Sequence, residues 1–222
     1  MRRLTAIFAL ALATLCFLAP SYGQEVVFED RFEGDLQPGW FWMRGNSQCR
    51  RFVNNSLEIL TEPLFSGEAR NALVRPLNFW SWQNGRADGA YRIETECYFL
   101  AQPTEQNQQC GVYWIQKGKV IFKLVFAYVD GKMCVFPGKT PIAASGGRLR
   151  ITVSGHNIVA EFCPLKETKF RRVYEGKIDC APNDHISLQC WGGKPSEDGF
   201  PSFTGGPSNW ACFRYFRVER LD

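Results

Sequence analysis

Glu94 and Glu96 stand one residue apart in "ETECYF". In an extended chain both carboxylates then project from one face, as a general acid–base pair requires. The same spacing also describes the solvent side of a half-buried strand, with Arg92 near for charge balance, and this plainer reading is favoured. Tyr113, Lys123 and Arg214 are residue types that move protons or hold anions on a sheet. Nucleophile chemistry finds less support. The chain has no G-x-S-x-G elbow, His156 falls in a turn-like stretch, and His185 follows Asn183-Asp184 just before a strand-like run. No phosphate-binding glycine loop follows a strand and opens a helix, so no cofactor is expected.

The seven tryptophans pose the sharper question. An indole can stack on the C–H face of a sugar ring, and it can equally fill the gap between two sheets. In "GWFWMRG" alternation puts Trp40, Trp42 and Arg44 on one side of the chain. Trp40 reads as core, and so does Trp114, with Val112 on its face. Trp42 is more open because its face continues into Arg44. Trp80 and Trp82 lie in "NFWSWQNG", outside any good strand, and an exposed loop tryptophan calls for a use. Trp191 ends a strand with Ser187 and Gln189 on its face. The candidate ligand contacts are therefore Trp42, Arg44, Arg75, Trp80, Trp82 and Trp191.

Strands must position these residues. "YRIETECYF" alternates Tyr91, Ile93, Thr95, Cys97 and Phe99 against Arg92, Glu94, Glu96 and Tyr98. "VIFKLVFAYVDGKMCVF" predicts a hairpin turning at Asp130-Gly131, and "LRITVSGHNIVAEFCPL" another at Gly155-His156. "SLEIL", "NALVR", "ISLQCW" and "ACFRYFRVE" bring the set to at least nine strands. No stretch shows a convincing helical stripe. The expected class is all-β, an antiparallel sandwich or barrel. "NFWSWQNGRADG", "AQPTEQNQQ" and "GGKPSEDGFPSFTGGPSN" read as surface loops.

Residues 1–23 read as a secretory signal peptide: Arg2 and Arg3, then an apolar run from Leu4 to Leu18, then Ser21-Tyr22-Gly23. The apolar run is short of the ~20 residues a membrane span needs. Residues 24–222 then form one exported domain with no membrane span. Losing Arg2 and Arg3 lowers the formal charge from +4 to +2. That balance shows no concentrated basic stripe of the kind a nucleic-acid binder carries. Cys16 leaves with the leader. Cys49, Cys97, Cys110, Cys134, Cys163, Cys180, Cys190 and Cys212 remain, an even number in an exported chain, and disulfides are expected. No C-x-x-C pair occurs and the two histidines lie far apart, so no metal site is expected.

The ordered run "VVFEDRFEGDLQPGWFWMRG", "NNSLEIL", "NALVRPL", "CGVYWIQKGKVIFKLVFAYVDGK", "LRITVSGHNIVAEF", "ISLQCW" and "FRYFRVE" resembles the concanavalin A-like lectin/glucanase superfamily. It is most similar to the β-sandwich at the C-terminus of bacterial β-xylosidases. The resemblance implies a two-sheet jelly-roll and polysaccharide as the partner. It does not imply an enzyme, because that domain accompanies a separate catalytic propeller. Glycosidases on this fold resemble one another in an E-x-D-x-x-E strand motif, which is absent here. Relatives also tend to carry an acidic residue near the final strand, where this chain has Cys212 and Arg214. An inherited calcium site is thereby in doubt, though Glu29 and Asp30 are candidate oxygen ligands. The leading expectation is a non-catalytic carbohydrate-binding module. The alternatives are a hydrolase or lyase with an unrecognised site, and a structural or protein-binding module of a cell envelope.

Overall fold

The computed structural model describes residues 24–60, 71–78, 80, 82–83, 86–192 and 209–221. Strands β1 to β17 dominate them, joined by one 3-10 turn at Ser47–Cys49. Residues 1–23, expected as a leader, fall outside the described residues, as do half of "NFWSWQNG" and all of 193–208.

Sheet I runs β15 (Arg171–Lys177), β14 (Asn157–Pro164), β13 (Gly146–Ser154), β8 (Ala90–Phe99), β17 (Trp210–Arg220), β4 (Leu57–Leu60) and β3 (Arg50–Phe52). Strand β1 (Glu25–Asp30) also pairs with β17. Sheet II runs β12 (Thr140–Pro141), β11 (Lys132–Phe136), β10 (Lys119–Val129), β9 (Gln108–Gln116), β16 (His185–Gly192), β5 (Ala72–Pro76) and β2 (Phe41–Met43). Strands β6 (Trp82–Gln83) and β7 (Arg86–Ala87) form a separate ribbon. All pairings are antiparallel. The chain crosses between the sheets at β1–β2, β2–β3, β4–β5, β5–β8 (by way of the β6–β7 ribbon), β8–β9, β12–β13, β15–β16 and β16–β17, so residues far apart in sequence share each face.

The core lies between the sheets. Sheet I contributes Tyr91, Ile93, Phe99, Leu149, Ile151, Phe213 and Phe216, and sheet II contributes Val112, Trp114, Leu124, Phe126, Ile186 and Leu188. The expected alternation in β8 holds residue by residue, with Tyr91, Ile93, Thr95, Cys97 and Phe99 turned inward. Both expected hairpins form. Asp130 (φ 50°) and Gly131 (φ 76°) make the two-residue turn between β10 and β11.

The outer face of sheet I is a lattice of charge. One row reads Arg172, Glu161, Arg150, Glu94, Arg217 and Glu29 across six neighbouring strands, with signs alternating at each step. Opposite charges directly across strands stabilise pairing, and like charges there oppose it. The row therefore favours this strand order over a shifted one.

The expected disulfides are a correction. Cys97, Cys110, Cys134, Cys163, Cys180, Cys190 and Cys212 are thiols. Cys49 lies buried at the end of the 3-10 turn. Cys97, Cys110 and Cys190 turn into the dry core like the apolar residues around them. Cys110 and Cys190 are cross-strand neighbours, and the Cys190 thiol is directed at the Ile59 carbonyl, 3.6 Å away. Burial pushes the Cys97 and Cys190 thiols well above the usual range, which suppresses the thiolate that begins disulfide chemistry. Iodoacetamide is expected to leave Cys97, Cys110 and Cys190 unmodified in the native protein and to label all three after denaturation without reductant. Mass spectrometry reads this directly, and an absence of labelling after denaturation would restore the disulfides.

Candidate functional site

The outer face of sheet II gathers aromatic and neutral polar side chains. Alternation in β16 sends Ile186, Leu188 and Cys190 into the core and leaves Ser187, Gln189 and Trp191 outside. In β9 it sends Cys110, Val112 and Trp114 inward and leaves Gln109 and Tyr113 outside. Register then sets Ser187 opposite Tyr113 and Trp191 opposite Gln109. On the other side of β9, Lys123 lies opposite Tyr113.

These side chains touch. The Tyr113 and Trp191 rings are nearly parallel, at 6°, with centroids 5.9 Å apart. Trp191 Nε1 donates to Gln189 Oε1 at 3.0 Å, and Gln189 Nε2 donates to Ser187 Oγ at 3.0 Å. Lys123 Nζ donates to Gln109 Oε1 at 2.9 Å. Val125, Ala127 and Phe136 complete an apolar floor beside the ring pair. Ser187, Gln189 and Tyr113 are buried, while Trp191, Lys123 and Phe136 are half-buried at the accessible margin.

The Tyr113 hydroxyl is buried and meets no hydrogen-bond partner among the described residues. Such a group ordinarily costs free energy unless a partner arrives. Burial, followed by the neighbouring Cys110, pushes the Tyr113 phenol well above its ordinary value, so it stays a donor. Burial lowers the Lys123 ammonium below its ordinary value. Among the described residues no carboxylate stands with these groups on this face. The arrangement offers a stacking surface with hydroxyl, amide and ammonium groups, and it lacks the paired acids of glycoside hydrolysis.

The other expected contacts lie elsewhere. Trp42 packs against the core with the Arg50 guanidinium 4.4 Å over its ring. Trp40 packs on Phe216, 5.1 Å between centroids, so the Trp40–Trp42 run is an inner wall. Arg44 has φ 51° and is exposed, and it ends the face that alternation alone would extend. Arg75 turns inward, with its guanidinium 3.5 Å over the Phe28 ring and Nη1 donating to the Pro38 carbonyl at 2.6 Å. Trp80 is 4% exposed, stacked on Tyr91 at 4.8 Å and edge-on to Trp114 at 5.3 Å. It is core, not a loop contact. The Trp82 side chain lies outside the described residues. Of the five whose side chains are described, only Trp191 belongs to this face.

The candidate acids are committed to partners. Glu94 Oε1 accepts from the Tyr215 hydroxyl at 2.6 Å, and its Oε2 accepts from Arg150 at 2.7 Å. Asp30 Oδ1 accepts from Phe32 N and Oδ2 from Gln37 N, both at 2.8 Å, which folds the turn after β1. Glu29 is held by Arg217 at 2.7 Å. Burial works to raise its pKa, but the contacts with Arg217 and Arg31 outweigh this and hold it below the usual value. Among the described residues no group of three His, Cys, Asp or Glu is disposed to hold a metal ion. His156 turns the β13–β14 hairpin and meets Asp179 at 3.1 Å, and His185 opens β16 edge-on to Phe41.

Sequence reasoning found Trp191, Ser187, Gln189, Tyr113 and Lys123 but not Gln109, nor the convergence of the set. The period-two signal was present in "QQCGVYWIQ", where Gln109, Gly111 and Tyr113 alternate with Cys110, Val112 and Trp114. Two leading glutamines placed its start in a loop.

No family model matches the chain, and no curated protein does. Solved structures match its fold. A GH43B protein of the Bacteroides ovatus xyloglucan PUL aligns at TM-score 0.63 and 14% identity, over 90% of this chain and 40% of that one. A xylan β-1,4-xylosidase from Bacillus halodurans aligns at TM-score 0.63 and 13% identity, over 86% and 39%. The chain thus spans about two-fifths of the length of these proteins. The catalytic domain of an endo-1,3-β-glucanase (laminarinase) from Thermotoga petrophila aligns at TM-score 0.54 and 11% identity, over 90% and 99%. With two antiparallel sheets packed face to face around one core, the chain is a concanavalin A-like jelly-roll β-sandwich.

Proposed function

We propose that this chain is an exported, non-catalytic carbohydrate-binding β-sandwich whose contact face is the outer side of sheet II. The observation that carries the reading is the Tyr113–Trp191 ring pair, backed by the Trp191–Gln189–Ser187 hydrogen-bond relay, with no carboxylate on that face among the described residues. Aromatic faces take the apolar side of a pyranose, and amides and hydroxyls take its hydroxyl groups. The carbohydrate-active names of the structural neighbours support the ligand class, and the leader-like residues 1–23 support export.

Affinity electrophoresis of the chain in soluble xylan, xyloglucan and laminarin tests it. Retardation is expected in at least one gel, and Trp191→Ala is expected to weaken it by about tenfold or more, the scale of losing one aromatic anchor. No retardation in any polysaccharide, or an unchanged Trp191→Ala variant, would sink the reading.

A second reading has one observation in its favour. Tyr113 and Lys123 are register partners, and a polysaccharide lyase could use them to remove and return a proton. Unsaturated sugar products appearing on incubation with a uronic-acid polysaccharide, and vanishing in Tyr113→Phe, would replace binding with catalysis.

A further inference from the structure

The outer face of sheet I holds a cavity of about 450 Å³, on the opposite side of the sandwich from the Trp191 face. Its ionic lining is four arginines (Arg31, Arg148, Arg214 and Arg217) against three glutamates (Glu29, Glu33 and Glu94). Two of these acids are already occupied. Glu94 holds Tyr215 and Arg150 through its two oxygens, and Glu29 holds Arg217.

Two of the arginines are not occupied in this way. Arg148 forms no ion pair with any described carboxylate. Among the described residues its Nη2 donates only to Cys163 Sγ at 3.2 Å and to the Glu167 carbonyl at 3.1 Å. Arg214 is half exposed and reaches Glu96 only at 3.8 Å, beyond hydrogen-bond length. The backbone singles out Arg214 as well. Register in β17 shifts between Phe213, opposite Cys97, and Tyr215, opposite Glu96. Arg214 is therefore the extra residue of a β-bulge, a device that re-aims one side chain out of the regular alternation. Register also places Arg148 and Tyr215 on either side of Glu96, two strand spacings or about 10 Å apart.

The geometry points to a binding site for the anionic group of an acidic saccharide, a carboxylate or a sulfate ester, held between Arg148 and Arg214. Guanidinium forks with free N–H groups match both anions, and they do so in pairs of parallel hydrogen bonds. Asn55 and Tyr215 line the same cavity and suit the hydroxyl groups of the ring that carries the charge. The saccharide as carrier rests on the carbohydrate-binding function proposed above, whereas the anion site rests on the arginines alone.

Calorimetry on the full chain tests it with oligogalacturonate for the carboxylate and carrageenan oligosaccharide for the sulfate. Binding of at least one is expected, and whichever binds identifies the group. Arg214→Gln is expected to weaken it about tenfold or more, since each 1.4 kcal/mol is a factor of ten. Arg148→Lys, which keeps the charge and loses the fork, should weaken it too, and raised salt should weaken it in the parent protein. Trp191→Ala should leave it intact. Neither anion binding, or Arg214→Gln binding like the parent, overturns the proposal. Because Arg214 is exposed and loosely paired, its variant should melt with the parent and a lost signal will not be a lost fold. If neutral polysaccharides fail while acidic ones bind through Arg214, the sheet II face is not the contact surface and the arginine site stands. If neutral polysaccharides bind through Trp191 while both anions fail, the arginine site falls and the sheet II face stands.

Discussion

Replacing Asp184 by alanine is expected to remove about 3–5 kcal/mol of folding stability, read from urea unfolding followed by tryptophan fluorescence. Asp184 is 1% exposed. Its Oδ2 accepts from Trp114 Nε1 at 2.9 Å, from Ala181 N at 2.9 Å and from Gln116 Nε2 at 3.3 Å. Alanine strands the buried Trp114 indole N–H without this acceptor. Each buried donor left alone costs about 1–3 kcal/mol, and bonds to a charged acceptor lie at the upper end. The loss reaches beyond one residue. Trp114 supports Trp80 edge-on, and Trp80 stacks on Tyr91, so the indole ties the middle of sheet II to the first residues of β8. The Asp184 carbonyl also accepts from Leu77 N at 2.9 Å, which fixes the entry to β16 beside the end of β5. Asp184→Asn keeps an acceptor oxygen and should lose about half as much. A loss under about 1 kcal/mol for Asp184→Ala would show that the indole finds another acceptor.

How far the sequence reveals this molecule depends on whether a signal is local. Period two in "YRIETECYF" is local, and it predicted which side chains of β8 face inward. Turn chemistry at Asp130-Gly131 and Gly155-His156 is local too, and both hairpins form where expected. The site was half legible on the same terms, because Ser187, Gln189 and Trp191 share one strand and their common face follows from alternation. Their meeting with Tyr113 and Lys123 depends on which strands become neighbours. That is set by packing across the sandwich and not by any spacing along the chain.

Misreadings have the same origin. Trp80 lies outside regular strands, and its core role needs Tyr91 and Trp114, which the chain brings back later. Arg75 follows an apolar strand and could as well face a groove. It faces inward because the Pro38 carbonyl and the Phe28 ring, far upstream in sequence, accept its guanidinium. The even cysteine count behind an expected leader argued for pairing, but parity carries no distance information. The Glu94–Glu96 spacing fitted catalysis and a solvent face alike. The alternating row from Arg172 to Glu29 decides for strand pairing, since Glu94 has a cation on each side across the sheet.

Gly111→Ala is the second substitution expected to act strongly, with a loss of about 3–5 kcal/mol. Gly111 sits in β9 between Gln189 of β16 and Val125 of β10, two residues before Tyr113. Its φ is +150°, which side chains of L-residues rarely adopt. A Cβ there would lie 2.5 Å from the Leu124 carbonyl oxygen, 2.8 Å from Val125 Cα and 2.9 Å from Leu149 Cδ1. The first two are backbone atoms of the paired strand, and they cannot retreat without opening the β9–β10 ladder. The third belongs to the opposite sheet, so the clash also presses the sandwich apart. For a chain of this size each kcal/mol is worth about 2–4 °C, so the thermal midpoint should fall by about 6–20 °C. Gly118→Ala is the matched control. Gly118 also has a positive φ, +75°, but a Cβ there meets nothing within 4 Å. It should cost only about 1–2 kcal/mol, the backbone share of the penalty. Equal losses at the two sites would mean that the close approach of β10 to Gly111 contributes nothing. A larger loss at Gly111 assigns the excess to the close approach of the β10 backbone and Leu149 to this position.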